Sequence, residues 1–191
     1  MENLPFILLV CLMFIAMPVV RGGTTKGPKE VEEWFEKLSH AKEKVTKLRF
    51  YFHDAIKGKS PTAMPVAQAN ITYTSPTLFG LVNMMDDPLT VGPELSSKLL
   101  GRFQGLYGYV SNAEVGLLVV ANFVFTDGEY NGSTLAVLGY NPILHHYREM
   151  PIVGGSGIFR LARGVVTVKN YFYNANASNA TVEVNVVAVH Y

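Results

Sequence analysis

LRFYFHDAIKGKSP, residues 48–61, decides how the chain is read. Three aromatics, Phe50, Tyr51 and Phe52, lead to an acid, Asp54, ahead of a turn at Gly58-Lys59-Ser60-Pro61. A strand alternates its faces, so Asp54 shares a face with Phe52 and Phe50. A carboxylate among aromatics in an enclosed space is either a paired structural charge or a working group. From here onward the chain keeps one habit. Short apolar or alternating runs follow one another, each bounded by Gly, Pro, Asn or Asp. Strands are expected near 47–55, 64–74, 78–86, 101–110, 116–126, 133–138, 143–151, 157–170 and 180–190. No linker-like tract and no repeat of fixed period divides them. The pattern predicts one all-β domain over residues 47–191, as a barrel or a sandwich. Closure removes edges, and a barrel of about eight strands can enclose one small ligand.

Ahead of the strands lie two different segments. Leu4 to Val20 is an apolar run followed by Gly22 and Gly23, which reads as a signal peptide over 1–23 and predicts secretion. A membrane anchor is the competing reading, but the run is short for a span and has no basic flank before it. Residues 24–46 form a helical segment. Val31, Trp34, Phe35, Leu38, Ala41 and Val45 recur at helical spacing, and acids precede lysines as the helix dipole prefers. Cys11, the one cysteine of the 191 residues, leaves with the leader, so no disulfide and no thiolate site is expected afterwards. The net charge of +1 stays unchanged, because Glu2 and Arg21 leave together. That balance argues against a partner in nucleic acid or an acidic membrane. Four sequons, at Asn70, Asn131, Asn176 and Asn179, are glycosylation candidates in a secreted chain.

Several chemistries drop out. There is no phosphate-binding loop, and Gly154-Gly155-Ser156-Gly157 reads as a turn between strands. His145, His146 and Glu149 do not make a metal site on a strand, since His145 and Glu149 share one face and His146 takes the other. No metal and no cofactor is expected. What remains is a set of polar groups in aromatic or apolar strands: Asp54, Arg148, Tyr107, Tyr109, and Asp127 beside Phe123 and Phe125. They are either a buried ion pair, such as Asp54 with Arg148, and strand-end charges, or the lining of an apolar cup. Such a cup, with one acid, one cation and phenolic donors, suits a flat aromatic ligand.

LRFYFHDAIKGKSP, FGLVNMMDDPLTVGPELSSKLLGRFQGLYGY, NFVFTDGEYNGSTLAVLGYNPI and YREMPIVGGSGIFRLARGVV, in this order, resemble the plant dirigent protein family over most of residues 48–166. The N-terminal WFEKL helix resembles a branch apart from the well-known lignan-forming members. The resemblance implies an eight-stranded antiparallel β-barrel with a pocket, assembled as a homotrimer and secreted to the apoplast. In lignan formation, a separate oxidase makes phenoxy radicals of monolignols, and the dirigent pocket steers their coupling to one stereoisomer without oxidising anything itself. That role in phenylpropanoid biosynthesis is the leading expectation. Some legume members instead resemble pterocarpan synthases, which dehydrate an isoflavanol through a quinone methide. A third reading is a cell-wall protein that binds phenolics without turnover. Carried over position by position, the family acid of YFHD falls on Asp54, its pocket tyrosine on Tyr107 and its pocket arginine on Arg148. Phe52, Tyr109, Phe125 and Asn141 would line the substrate site. A second acid of the lignan-forming members stands in a DP pair, where this chain has Asn141 in GYNPI. Asn cannot donate a proton as a carboxylic acid can. DDPLTVGP reads first as turn chemistry, with Pro88, Gly92 and Pro93 shaping a pocket rim, ahead of a direct catalytic role for Asp86 or Asp87.

Overall fold

The computed structural model describes residues 27–174 and 178–191. The leader and the Asn176 sequon lie outside them. The helical segment is shorter than its apolar period: helix α1 spans Pro28–Lys37, a single 3₁₀ turn covers Leu38–His40, and the first strand begins at Lys44. Pro28 stands in its first turn, and Glu30 reaches back to accept from the Gly27 N–H at 2.7 Å. Trp34 packs under the Arg160 guanidinium, 4.8 Å from its ring centroid.

Among the described residues nine strands follow: β1 Lys44–Ala55, β2 Ala63–Ala67, β3 Val82–Thr90, β4 Leu99–Tyr109, β5 Gly116–Phe125, β6 Thr134–Pro142, β7 Arg148–Ser156, β8 Arg163–Asn174 and β9 Asn179–His190. All pairings are antiparallel, in the order β1-β9-β8-β7-β6-β5-β4-β3-β2. A further pairing of Tyr51 with Thr90 and Phe52 with Leu89 joins β1 to β3 and closes eight strands into a barrel. β2 is left as a flap on β3. Inward positions alternate as the pleat demands, and Phe50, Phe52 and Asp54 do share the inner face.

Three expectations about the strands need correction. The segment 64–74 is strand only to Ala67, then a 3₁₀ turn over Asn70–Thr74. Gly154-Gly155-Ser156 is the end of β7 rather than a turn, and the chain bends at Gly157–Phe159. The third concerns DDPLT, which is strand and not loop. The Asp86 N–H donates across the seam to the Thr62 carbonyl oxygen at 2.8 Å. Two residues on, Pro88 faces the same side, in the gap between the β2 pairing and the β1 pairing. No acceptor is needed there, so a proline without an N–H fits the strand.

One end of the barrel is packed solid. Phe103 and Phe123 stack at 4.4 Å, Phe50 meets Phe123 edge-on at 5.1 Å, and Phe125 meets Phe159 at 5.7 Å. Valines 166, 168, 184 and 186 complete this plug. Among the described residues no helix is long and apolar enough to cross a membrane.

Candidate active site

Above the plug the barrel holds a cavity of about 260 Å³. Its floor is Phe52, Phe103, Met85 and Val119, and its mouth is edged by Leu78, Leu144 and Tyr173. The polar lining falls into two groups. Around the ring of eight strands, β6 stands four places from β1, and β7 four places from β3. Asp54 on β1 and Asp87 on β3 therefore face Asn141 on β6 and Arg148 on β7.

Asp54 and Asp87 are neighbours across the seam. The pairing of Phe52 with Leu89, carried on by two residues, sets Asp54 opposite Asp87. Asp87 is 0% exposed, and neither of its oxygens has a hydrogen-bond partner among the described residues. The Thr62 hydroxyl, which acts on it weakly, donates to the His53 carbonyl oxygen at 3.2 Å. Oδ1 of Asp54 is buried and equally unpaired. Burial pushes the Asp54 carboxyl up to about 6. Burial first, and then the charge of Asp54, push Asp87 up to about 8. Like charges side by side in a low dielectric cannot both ionise cheaply, so the pair gives up its protons in two separate steps. Tyr107 is buried beside them with no partner for its hydroxyl among the described residues, and burial raises it far above the ordinary phenol range. It stays a neutral donor. Tyr109, its ring centroid 6.2 Å from that of Tyr107, is raised in the same way by burial.

On the opposite wall Arg148 is 4% exposed. Its Nη1 donates to the carbonyl oxygens of Ile143 at 3.1 Å and His145 at 3.4 Å, and to Asn170 Oδ1 at 2.9 Å. Its Nε has no partner among the described residues. No ion pair with Asp54 forms, so the structural-pair alternative does not hold. Arg148 instead ties down the loop between β6 and β7. Asn141 lines the same wall, with its Oδ1 buried and unpaired among the described residues.

Of the residues expected in the pocket, Asp54, Tyr107, Arg148, Phe52, Tyr109 and Asn141 all line it. Phe125 does not. It lies in the plug against Phe50, Tyr130 and Phe159, because β5 runs from the cavity down to the closed end. Asp127, beyond the end of β5, pairs with Lys98 at 2.6 Å on the surface. His145 sits in the loop after β6, not on a strand, and meets Glu114 Oε2 at 2.9 Å. Among the described residues no group of three His, Cys, Asp or Glu is placed to hold a metal. Asn70 and Asn131 are exposed, whereas Asn179 lines the cavity.

The sequence reading missed Asp87 and Asn170. A signal for Asp87 was present: Met85, Asp87 and Leu89 keep the period of two, so a strand through DDPLT puts the second acid inside. Asp86 then faces out, where it accepts from Arg102 Nε at 2.7 Å.

Residues 45–189 match the profile of the dirigent-like protein family. The chain belongs to that family. Dirigent protein 23 of Arabidopsis thaliana is 45% identical over 183 residues, 95% of each chain. Pterocarpan synthase 1 of Glycyrrhiza echinata is 46% identical over 155 residues, 81% of this dirigent chain and 82% of its own. The solved structure of a pterocarpan synthase dirigent protein superposes with a TM-score of 0.74 at 47% identity, over 79% of this chain and 87% of its own. A second such structure gives 0.73 at 47% identity, over 78% of this chain and 96% of its own.

Proposed function

We propose that this dirigent-family chain is a dehydratase of the pterocarpan synthase kind. It removes water from an isoflavanol through a quinone methide and closes the new ring inside the barrel, with no oxidant and no cofactor. The observation that carries the reading is the pair Asp54 and Asp87 facing Asn141 and Arg148 across a cavity of about 260 Å³. Pockets for one drug-sized ligand begin near 300 Å³, so this space favours a single flat molecule over two radicals held together. Losing water from a carbinol needs an acid near the departing oxygen, which the carboxyl pair provides. At the far end, among the described residues, Asn141 Oδ1 lacks a donor and Arg148 Nε lacks an acceptor. A phenolic hydroxyl seated there would accept from Arg148 Nε and donate to Asn141 Oδ1. Tyr107 adds a neutral donor beside the carboxyl pair. Most of the gain is orientation, and about 1.4 kcal/mol between two faces of a planar intermediate already gives tenfold stereoselectivity.

Steering of monolignol radical coupling, with an external oxidase as partner, ranks second. Asn141 at the place of the second acid weighs against it. Chiral chromatography of two reactions separates the readings. A 2′-hydroxyisoflavanol alone should give pterocarpan of one hand. Coniferyl alcohol with a one-electron oxidant should give racemic dimers. Untouched isoflavanol together with enantiomeric excess in the dimers would reverse the order.

The same reading includes self-association, as a trimer of a secreted protein. Its support lies on the outer wall. Met64, Met84, Leu106, Val120 and Leu138 are successive cross-strand neighbours from β2 to β6, all facing out. Leu118 and Tyr140 form a second pair beside Val120 and Leu138. A contiguous apolar belt of this kind marks an association surface.

A further inference from the structure

The dehydration reading calls for an acid but leaves open which carboxyl acts. Asp54 holds the family position, yet Asp87 is the more deeply enclosed of the two. The groups around Asp87 are few. From β1 it faces Asp54, and from β4 the neutral Tyr107. β2 brings no titratable side chain. Arg102 on β4 lies on the outer face and is held by Asp86 through both its Nε and its Nη2. Arg148 stands on the opposite wall, bound to carbonyl oxygens and Asn170. His53 points out of the barrel. Thr90 donates to the Gly92 carbonyl oxygen at 2.7 Å, so at the same distance it takes a proton from His53 Nε2. No cation on the described residues reaches Asp87 from within the cavity. A buried carboxyl with no cation and no donor keeps its proton, and an adjoining carboxylate makes it hold that proton harder.

We infer that Asp87, set across the barrel seam from Asp54, holds the mobile proton of the cavity and is the acid that delivers it to the departing hydroxyl. The inference rests on the dehydratase reading for its substrate. The carbon–oxygen bond of the benzylic carbinol breaks with both electrons moving to oxygen. That oxygen takes the proton of Asp87 and leaves as water. The organic fragment is the protonated form of a quinone methide, its phenolic proton hydrogen-bonded to Asn141 Oδ1. The ionised Asp54 carboxylate offsets its positive charge. The 2′-phenol oxygen then bonds to the same carbon and gives its proton to the Asp87 carboxylate, which is restored. One water is lost, no electron is gained or lost, and the enzyme ends as it began.

Two readouts test this on the full mature protein. Infrared difference titration reads the carboxylic acid without any substrate. A protonated-carboxyl band should persist at pH 7, vanish in Asp87→Asn, and survive in Asp54→Asn with its loss moved to lower pH. A band that remains in Asp87→Asn overturns the assignment, as does a band absent from the wild type. The second readout is the pH–rate profile on a 2′-hydroxyisoflavanol. The wild-type rate should fall above about pH 8, Asp87→Asn should lose about 10²- to 10⁴-fold, and Asp54→Asn should shift the alkaline limb to lower pH. An Asp87→Asn rate within tenfold of wild type overturns the delivery step. A wild type that leaves the isoflavanol untouched overturns the dehydratase reading together with that step. The proton-holding claim then stands or falls on the infrared arm alone. The Asp54→Asn shift keeps the idea falsifiable even if Asp87→Asn fails to fold.

Discussion

A single carboxyl sets the balance between stability and chemistry in this barrel. Asp87 is raised from 3.8 to about 8 by burial and by Asp54. A raised acid binds more protons folded than unfolded, so stability falls as pH climbs from about 4 to about 8. Asp87→Asn removes that penalty, since the amide has no charge to bury. Thermal melts should show the variant more stable than wild type at pH 9, by at least about 1.4 kcal/mol, the worth of one pKa unit, with the gap closing towards pH 5. A gap that does not change with pH would mean that Asp87 is already satisfied in the folded protein. His53, its neighbour in sequence to Asp54, behaves in the opposite sense. Burial lowers it, so it contributes stability above about 6.5 that is lost on acidification. The two residues flanking one peptide bond thus shift in opposite directions from one cause: burial disfavours the charged form, which raises an acid and lowers a base.

Strands β3 and β4 explain how the site is held. β3 carries Met85, Asp87 and Leu89 inward while a proline sits in its middle, which only the gap at the seam permits. β4 approaches β5 so closely that a Cβ at Gly105 would stand 2.2 Å from the Val120 carbonyl oxygen. Backbone cannot yield there as a side chain could. Gly105→Val should therefore cost at least about 3 kcal/mol, read as a lower denaturation midpoint in urea, and should splay the wall that carries Tyr107. A midpoint within experimental error of wild type would show that the two strands can separate without loss.

On the scale of the whole molecule, the barrel has a packed end, an open end and an apolar belt outside. The belt side chains serve neither plug nor cavity, so a charge there leaves the fold of one barrel intact. Val120→Lys should convert the assembled protein to monomers in sedimentation equilibrium, with the near-UV circular dichroism unchanged. A variant that keeps the wild-type mass, or a wild type that sediments as a monomer, would rule out association through the belt.

Alternation in LRFYFHD already places Asp54 inside with Phe50 and Phe52, and turn residues every dozen or so positions already define an all-β chain. These are local properties, set by the pleat and by backbone stereochemistry. Family motifs carried Tyr107, Arg148 and Asn141 to the pocket as well. The helix boundary, the depth of Phe125 and the role of DDPLT were not local. Whether Phe125 lines a cavity or a plug depends on how far down the barrel β5 has run when it reaches that residue. Whether Asp87 is a turn acid or a cavity acid depends on β1 closing against β3, some 35 residues away in sequence. Only closure brings the two carboxyls side by side, and only their shared burial turns an ordinary acid into one that keeps its proton.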